Sequence, residues 1–409
     1  MSVLTVFPAG NVQPHLEKLK DKIPRNLDIM PFDPRLIDFV SKLGRAILTD
    51  KRIREFPELA VMANFFRKKN IEAQQKLYCQ TIENVVQVPR GIVFHIAPSN
   101  VDSIFLYSGL ISLLCGNINI IRVSSNATVQ QQFVISIINK LVKNDFNWIS
   151  NRLFLLDYGY RDEVTSSLSK ICNARVVWGG DETVRYIRNF ELSPNAIEMT
   201  FADKYSHFLI NADFCVTLSN SEHTELIRKF HLDTTWFGQQ ACASPKSIAW
   251  VGKTSNIVAC KRRFWNEYAK HLGQEVFEDE PSQKYERLVS SDLIFTSGNS
   301  KLETELGEYP TRITFNKPPG ISSKKWHSGN GLFIEVNVRT LSEYLTSLGP
   351  KDQTITYFGF EKATLAKSCE ALPIASVAKF NKVGSALDFS PIWDNVNLYQ
   401  FFCRYIAIN

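Results

Sequence analysis

From about residue 81 the chain alternates two hydrophobic patterns. Short unbroken runs of branched and aromatic residues, such as IVFHI at 92–96, Ile118 to Val123, Arg152 to Leu156, Ala174 to Trp178 and Ser206 to Ile210, predict strands buried on both faces. Between them lie stretches whose apolar residues recur every three or four positions, as in Ile104 to Leu114, Ala127 to Lys143, Arg161 to Ser169 and Asp181 to Arg188, which predict helices. Strands alternating with helices of this length imply a parallel sheet with both faces covered. A second alternating region follows from Phe214. It has helices at Glu222 to Phe230 and Arg262 to Leu272, and strands at Ser247 to Val251, Leu293 to Thr296, Arg312 to Phe315, Leu332 to Val338 and Thr354 to Phe358.

The first part of the chain differs. Leu36 to Leu48 and Glu58 to Phe66 carry helical spacing and predict a covering layer, and the TIENVVQV segment before Pro89-Arg90-Gly91 predicts a strand that turns back into IVFHI as a hairpin. The longest charge-free segment, Ser103 to Ile121, is broken by Gly116, Asn117 and Asn119 into a helix and a strand, so no membrane span is expected. The N-terminus lacks a basic stretch followed by a continuous apolar core, and a cytoplasmic protein is expected.

Composition narrows the classes. With 409 residues, 44% hydrophobic and 22% charged, the chain is an ordinary folded protein of more than one domain. Its 47 Lys and Arg against 41 Asp and Glu give +6, spread without a basic block, which argues against a nucleic-acid binder. Eight cysteines lie far apart without metal spacing, so free thiols and no metal site are expected. No G-x-G-x-x-G fingerprint after a strand, P-loop, H-E-x-x-H or G-x-S-x-G motif is present, which removes the commonest dehydrogenase, nucleotidase and hydrolase signatures.

Four local features carry chemistry. Cys242 lies among small residues in FGQQACASP, where a sulfur is accessible to a substrate; packing is the alternative for a lone cysteine. Asn100, after the proline turn of IAPSNV, either caps the next helix or donates its amide to a developing oxyanion. Arg122 and Ser124 end a parallel strand where ligands of such sheets bind, with a surface arginine as the plain alternative. Gly179 and Gly180 join a strand to a helix, as a tight turn or as room for a phosphate or ribose at a helix start. Glu335 reads as a surface carboxylate at a strand end, His231 as a surface histidine, and the other cysteines as structural.

The order of these features resembles the aldehyde dehydrogenase superfamily and, within it, the LuxC-type acyl-CoA reductases, the long-chain fatty acyl-CoA reductases of bacterial luminescence systems. The segments carrying the resemblance are FPELAVMANFFRKKNI, HIAPSNV, LLCGNINIIRVSS, VVWGGDETVRYIR, FADKYS, QQACASPK, QTITYFG and VGSALDFSPIWD. The resemblance implies an α/β fold with a parallel-sheet cofactor domain, a catalytic α/β domain and a β-hairpin that pairs subunits into a homo-oligomer. It makes Cys242 the nucleophile and Asn100 an oxyanion donor, beside the Cys242 backbone N–H. It puts Arg122 and Ser124 on the adenosine ribose and Gly179 and Gly180 over the cofactor, and it offers a contact to the nicotinamide ribose as the alternative to a surface carboxylate for Glu335. An arginine with two serines suits a 2′-phosphate, so NADPH is expected before NADH. Where oxidising relatives carry a water-activating Glu, the resemblance puts Phe201 in this chain, or Asp203 in a register shifted by two residues.

The expected domains are 1–80, a helical part of the cofactor domain; 81–212, dinucleotide-binding; 213–380, catalytic; and 381–409, a segment returning to the cofactor and oligomerisation region. The implied substrate is an acyl-CoA or acyl-protein thioester, with an acyl-protein synthetase as partner. The competing readings are a cysteine acyltransferase or thioesterase that needs no dinucleotide, and a protein that keeps the fold without catalysis.

Overall fold

The structure is a computed structural model describing residues 4–7, 28–78, 83–97, 103–123, 128–274, 279–318 and 320–408. The chain forms two compact units, 1–202 with 389–409, and 203–388. The first contains β1 (Leu4–Phe7), β2 (Val85–Pro89), β3 (Ile92–Ile96), β4 (Ile118–Arg122), β5 (Leu153–Asp157), β6 (Ala174–Trp178) and β7 (Ile197–Phe201). Six of these make one sheet in the order β1-β5-β4-β3-β6-β7, parallel except for β1. Helices Ser103–Leu114 and Val129–Asn144 connect β3 to β4 and β4 to β5, while Asp162–Ile171 and Asp181–Arg188 follow β5 and β6. The strand order runs one way from β3 to β5 and the other from β3 to β7. Such a reversal marks, at the carboxyl ends of the strands, the place where sheets of this kind receive ligands.

Sequence explains these elements locally. Asp33 caps the helix Pro34–Thr49 through the Arg35 N–H, and its buried face of Leu36, Phe39, Val40, Leu43 and Ile47 has the period the sequence showed. Thr128 caps Val129–Asn144 the same way. There the buried stripe centres on Val134 and Ile138, leaving Val129 exposed.

The second unit holds β8 (Tyr205–Asn211), β9 (Pro245–Val251), β10 (Ser300–Leu302), β11 (Thr311–Phe315), β12 (Leu332–Val338), β13 (Asp352–Phe358) and β14 (Lys379–Lys382) in one sheet ordered β10-β11-β12-β9-β8-β13-β14. All neighbours are parallel except β10 and β11. Helices Asn220–Thr235 and Thr254–Leu272 cover one face with a core of Phe208, Phe230, Trp250, Phe264 and Phe333.

Three expectations are corrected. β2 does not fold back on β3: it pairs antiparallel with the last strand, Cys403–Ala407, Pro89 opposite Cys403 and Val85 opposite Ala407. Both edges of β3 are taken by β4 and β6, so no hydrogen-bonding edge remains for a hairpin partner. Leu293 to Thr296 is the end of a helix, Pro281–Thr296, not a strand, because Arg287, Ser290, Ser291 and Ile294 share its buried face while Leu288, Val289 and Leu293 face solvent. The boundary expected at 212/213 falls at 202/203, since β8 lies inside the second sheet between β9 and β13, and the C-terminal return begins at 389.

Candidate active site and cofactor site

Cys242 sits in a turn directly before β9, closed by the Ser244 N–H donating to the Ala241 carbonyl at 3.0 Å. The approach is unusual: Phe237, Gly238 and Gln239 all have positive φ, at 56°, 57° and 63°. Only Gly adopts this region freely, so Phe237 and Gln239 need compensation. Gln239 obtains it. Its fully buried amide donates to the carbonyls of Pro245 at 2.7 Å and Leu332 at 3.1 Å and accepts from the Gly331 N–H at 2.9 Å. One side chain thus ties the cysteine turn to β9 and to the loop before β12. From that loop the Asn330 N–H donates to the Gly238 carbonyl at 2.6 Å.

The turn is also held from β8. Ser206, fully buried, donates to the Cys242 carbonyl at 2.5 Å. That bond fixes the backbone of Cys242 while the side chain remains half-buried, in a neighbourhood of Ala243 and Ser244. Of the other described cysteines, five are buried, and burial pushes the Cys172 thiol up to about 12. Cys369 is exposed at the C-terminal cap of the helix Lys362–Ser368.

The charges around the turn come from β8, β9 and the loop before β12. Burial lowers the Lys246 ammonium, while Cys242 and Asp203 draw it back up. Burial, then the Lys246 charge, pushes His327 down to about 3 and keeps it neutral. The Tyr205 ring lies 5.7 Å from that of His327 and 5.9 Å from the Lys246 ammonium. Deeper, His207 meets Asp352 at 2.8 Å and the Tyr344 hydroxyl at 2.7 Å, and Lys324 reaches both Asp352 oxygens at 2.7 Å. Burial alone raises the Asp352 carboxyl, but His207 and Lys324 more than offset it and hold it below the usual range. This network braces β8 against β13; no spacing in the chain signals it, because His207 and Asp352 come from two strands and Lys324 and Tyr344 from two separate helices.

Two plain readings are overturned. Glu335 is fully buried in mid-strand, bonded to Arg312 at 2.8 Å, Lys261 at 2.6 Å and the Trp250 indole N–H at 3.0 Å. A carboxylate there persists because two cations and a donor compensate its desolvation. His231 is buried beside His271 and Tyr268, not on the surface.

In the first unit, Arg122 ends β4 and Gly179 follows β6, so both stand at the carboxyl edge flanking β3. The Arg122 guanidinium lies 5.4 Å from the Tyr158 ring and 4.9 Å from the Tyr160 ring. Gly179 donates its N–H to the Phe201 carbonyl at 3.1 Å, and a Cβ there would meet Thr183 at 2.9 Å. Gly180 is the N-cap of Asp181–Arg188. Tight packing against Thr183 accounts for the first glycine, whereas Gly180 presents a bare backbone at a helix start, a position where phosphates bind. A dinucleotide therefore fits this edge: Arg122 for its anionic groups and the glycine turn for close backbone approach. Asn100 and Ser124 lie outside the described residues. Among the described residues no group of three or more His, Cys, Asp or Glu side chains is placed to hold a metal ion, and no helix is long and apolar enough to cross a membrane.

This architecture is that of the aldehyde dehydrogenases. A variant of the 1-pyrroline-5-carboxylate dehydrogenase of Thermus thermophilus is similar over 95% of this chain and 83% of its own, with TM-score 0.65 and 14% identity. An NAD-dependent aldehyde dehydrogenase of Sinorhizobium meliloti is similar over 95% and 85%, with TM-score 0.69 and 13% identity. An NADP-dependent enzyme of E. coli is similar over 95% and 89%, with TM-score 0.65 and 10% identity. Among curated proteins, sequence comparison finds no match. The acyl-CoA reductase (LuxC) family profile matches residues 55–270, more than half of the chain, and spans every described candidate from Arg122 to Cys242. The chain belongs to the LuxC acyl-CoA reductase family. It is an oxidoreductase of the acyl and aldehyde level with an aldehyde-dehydrogenase-like fold.

Proposed function

We propose that this protein reduces a long-chain fatty acyl thioester to the aldehyde with NADPH, through an acyl group carried on Cys242. The observation that carries the reading is the half-buried Cys242 side chain on a backbone fixed by Ser206 and Gln239, within the acyl-CoA reductase family. A nucleophile held this way meets its substrate without first ordering its own loop.

The Cys242 thiolate attacks the acyl carbonyl, and the oxyanion is held by the Asn100 amide and the Cys242 backbone N–H. Coenzyme A leaves as its thiolate and an enzyme thioester remains. When bound, NADPH supplies hydride. Addition of hydride to the acyl carbon gives a thiohemiacetal alkoxide on Cys242, whose collapse expels the cysteine thiolate and releases the aldehyde. Arg122 and Ser124 hold the adenosine end, and Gly179 and Gly180 leave space over the cofactor. Phe201 in place of a carboxylate favours reduction, because an apolar ring activates no water to hydrolyse the thioester. An acyl-CoA or an acyl group delivered by an acyl-protein synthetase serves as donor, in a cytoplasmic homo-oligomer.

Radiolabelled acyl-CoAs of graded length, incubated with and without NADPH, test this. Protein-bound label is expected without NADPH and released aldehyde with it. Cys242→Ser is expected to lose both while still binding the dinucleotide, and aldehyde formation by that variant would refute the assignment.

A further inference from the structure

The cation at the end of β4 is held in a specific way. Tyr158 is buried and its hydroxyl accepts from Thr165 at 3.2 Å, so its ring is a fixed wall against Arg122. Tyr160, two residues on, is 85% exposed and still brings its ring within 4.9 Å of the same guanidinium. The nearby acid that would compete, Asp162, is taken by the Tyr186 hydroxyl, and Asp157 accepts the Gly159 N–H at 3.3 Å. Among the described residues no carboxylate pairs with Arg122.

A guanidinium resting on aromatic faces keeps its in-plane N–H donors for a second partner, and a planar fork suits the two oxygens of a phosphate. An aromatic ring contributes nothing of this kind to a ribose hydroxyl. We propose that Tyr160, with Tyr158, pre-orients Arg122 for the 2′-phosphate of a phosphorylated dinucleotide and so determines the preference for NADPH over NADH. This rests on the cofactor reading above and deepens it. Tyr160 is a positioning residue here, acting through Arg122. Its removal raises the cost of fixing a flexible arginine at the moment of binding, and only a ligand that uses Arg122 feels that cost.

The test is fluorescence titration of the full chain with NADPH and with NADH, and displacement of NADPH by adenosine 2′,5′-bisphosphate. Tyr160→Ala is expected to weaken NADPH and the bisphosphate about three- to tenfold and to leave NADH within about twofold. Tyr160→Phe, which keeps the ring, is expected to match the wild type, and Arg122→Ala to lose the NADPH preference altogether. Because Tyr160 is exposed, the substitution leaves the core intact, which an unchanged Tm will verify. Equal weakening of NADPH and NADH, or no weakening of either, overturns the proposal alone. Wild-type protein that binds neither dinucleotide overturns the cofactor reading, and this proposal with it.

Discussion

Trp178 and Phe201 stack at the carboxyl ends of β6 and β7, with ring centroids 3.8 Å apart and planes 22° apart. They are direct partners across the parallel pair, both nearly buried, and Trp393 packs edge-on against Trp178 at 5.6 Å. Phe201 is therefore part of an aromatic core.

Phe201→Ala should cost about 3–5 kcal/mol, because the stack is lost and a cavity opens beneath Trp178. A fall in Tm of roughly 10 °C is expected in a thermal melt. Phe201→Leu, which refills most of the volume, should cost less than half as much. An unchanged Tm for the alanine variant would mean that the stack contributes nothing to stability.

Gln239 should matter more for reactivity than its distance in sequence from Cys242 suggests. Gln239→Ala leaves the Pro245 and Leu332 carbonyls and the Gly331 N–H buried without their present partner, while keeping a residue with a Cβ at φ 63°. The cysteine turn then loses its tie to β12, and a misplacement of about 1 Å costs on the order of a hundredfold in rate. Alkylation of Cys242 by iodoacetamide and kcat for aldehyde formation should both change, with dinucleotide affinity unchanged. Wild-type alkylation kinetics in this variant would show that the turn holds its shape without the amide.

Acid should destabilise the first unit through His95. Its ring bonds Ser108 and Asn119 in the core, and burial pushes it down to about 4 from the ordinary 6.5. The unfolded chain takes up the proton first, so the stabilisation is complete above pH 6.5 and is lost as pH falls toward 4. The loss amounts to about 3 kcal/mol for this one group. In the second unit His327 acts in the same direction. Asp233, pushed up to about 7 by burial while it accepts the Gly384 and Ala386 N–H groups, acts in the opposite one between its ordinary 3.8 and 7. Urea midpoints at pH 7.5 and 4.5 should therefore fall for the unit containing His95, and His95→Gln should flatten the dependence. A pH-independent midpoint would contradict neutral burial of the ring.

Much of the alternating architecture was legible because it rests on periodicity. The runs of β3 to β6 and the spacing of their helices are consequences of burial on two faces, and each segment carries that signal itself. The partial exposure of Cys242 was legible for a related reason: small neighbours around a sulfur are a local property. Leu293 to Thr296 misled because a short apolar run has no period of its own, and the buried face that makes it helical starts back at Arg287.

What the sequence determined by itself was most of the succession of strands and helices. Which strands became neighbours was decided in three dimensions. Val85–Pro89 found its partner more than 300 residues away because β3 had no free edge. Glu335 became buried because Lys261 and Arg312 arrived from other elements to neutralise it, and Gln239 holds a left-handed backbone because carbonyls of β9 and β12 meet its amide. Pairing, charge compensation and strain are properties of groups brought together by folding, and no single segment contains them.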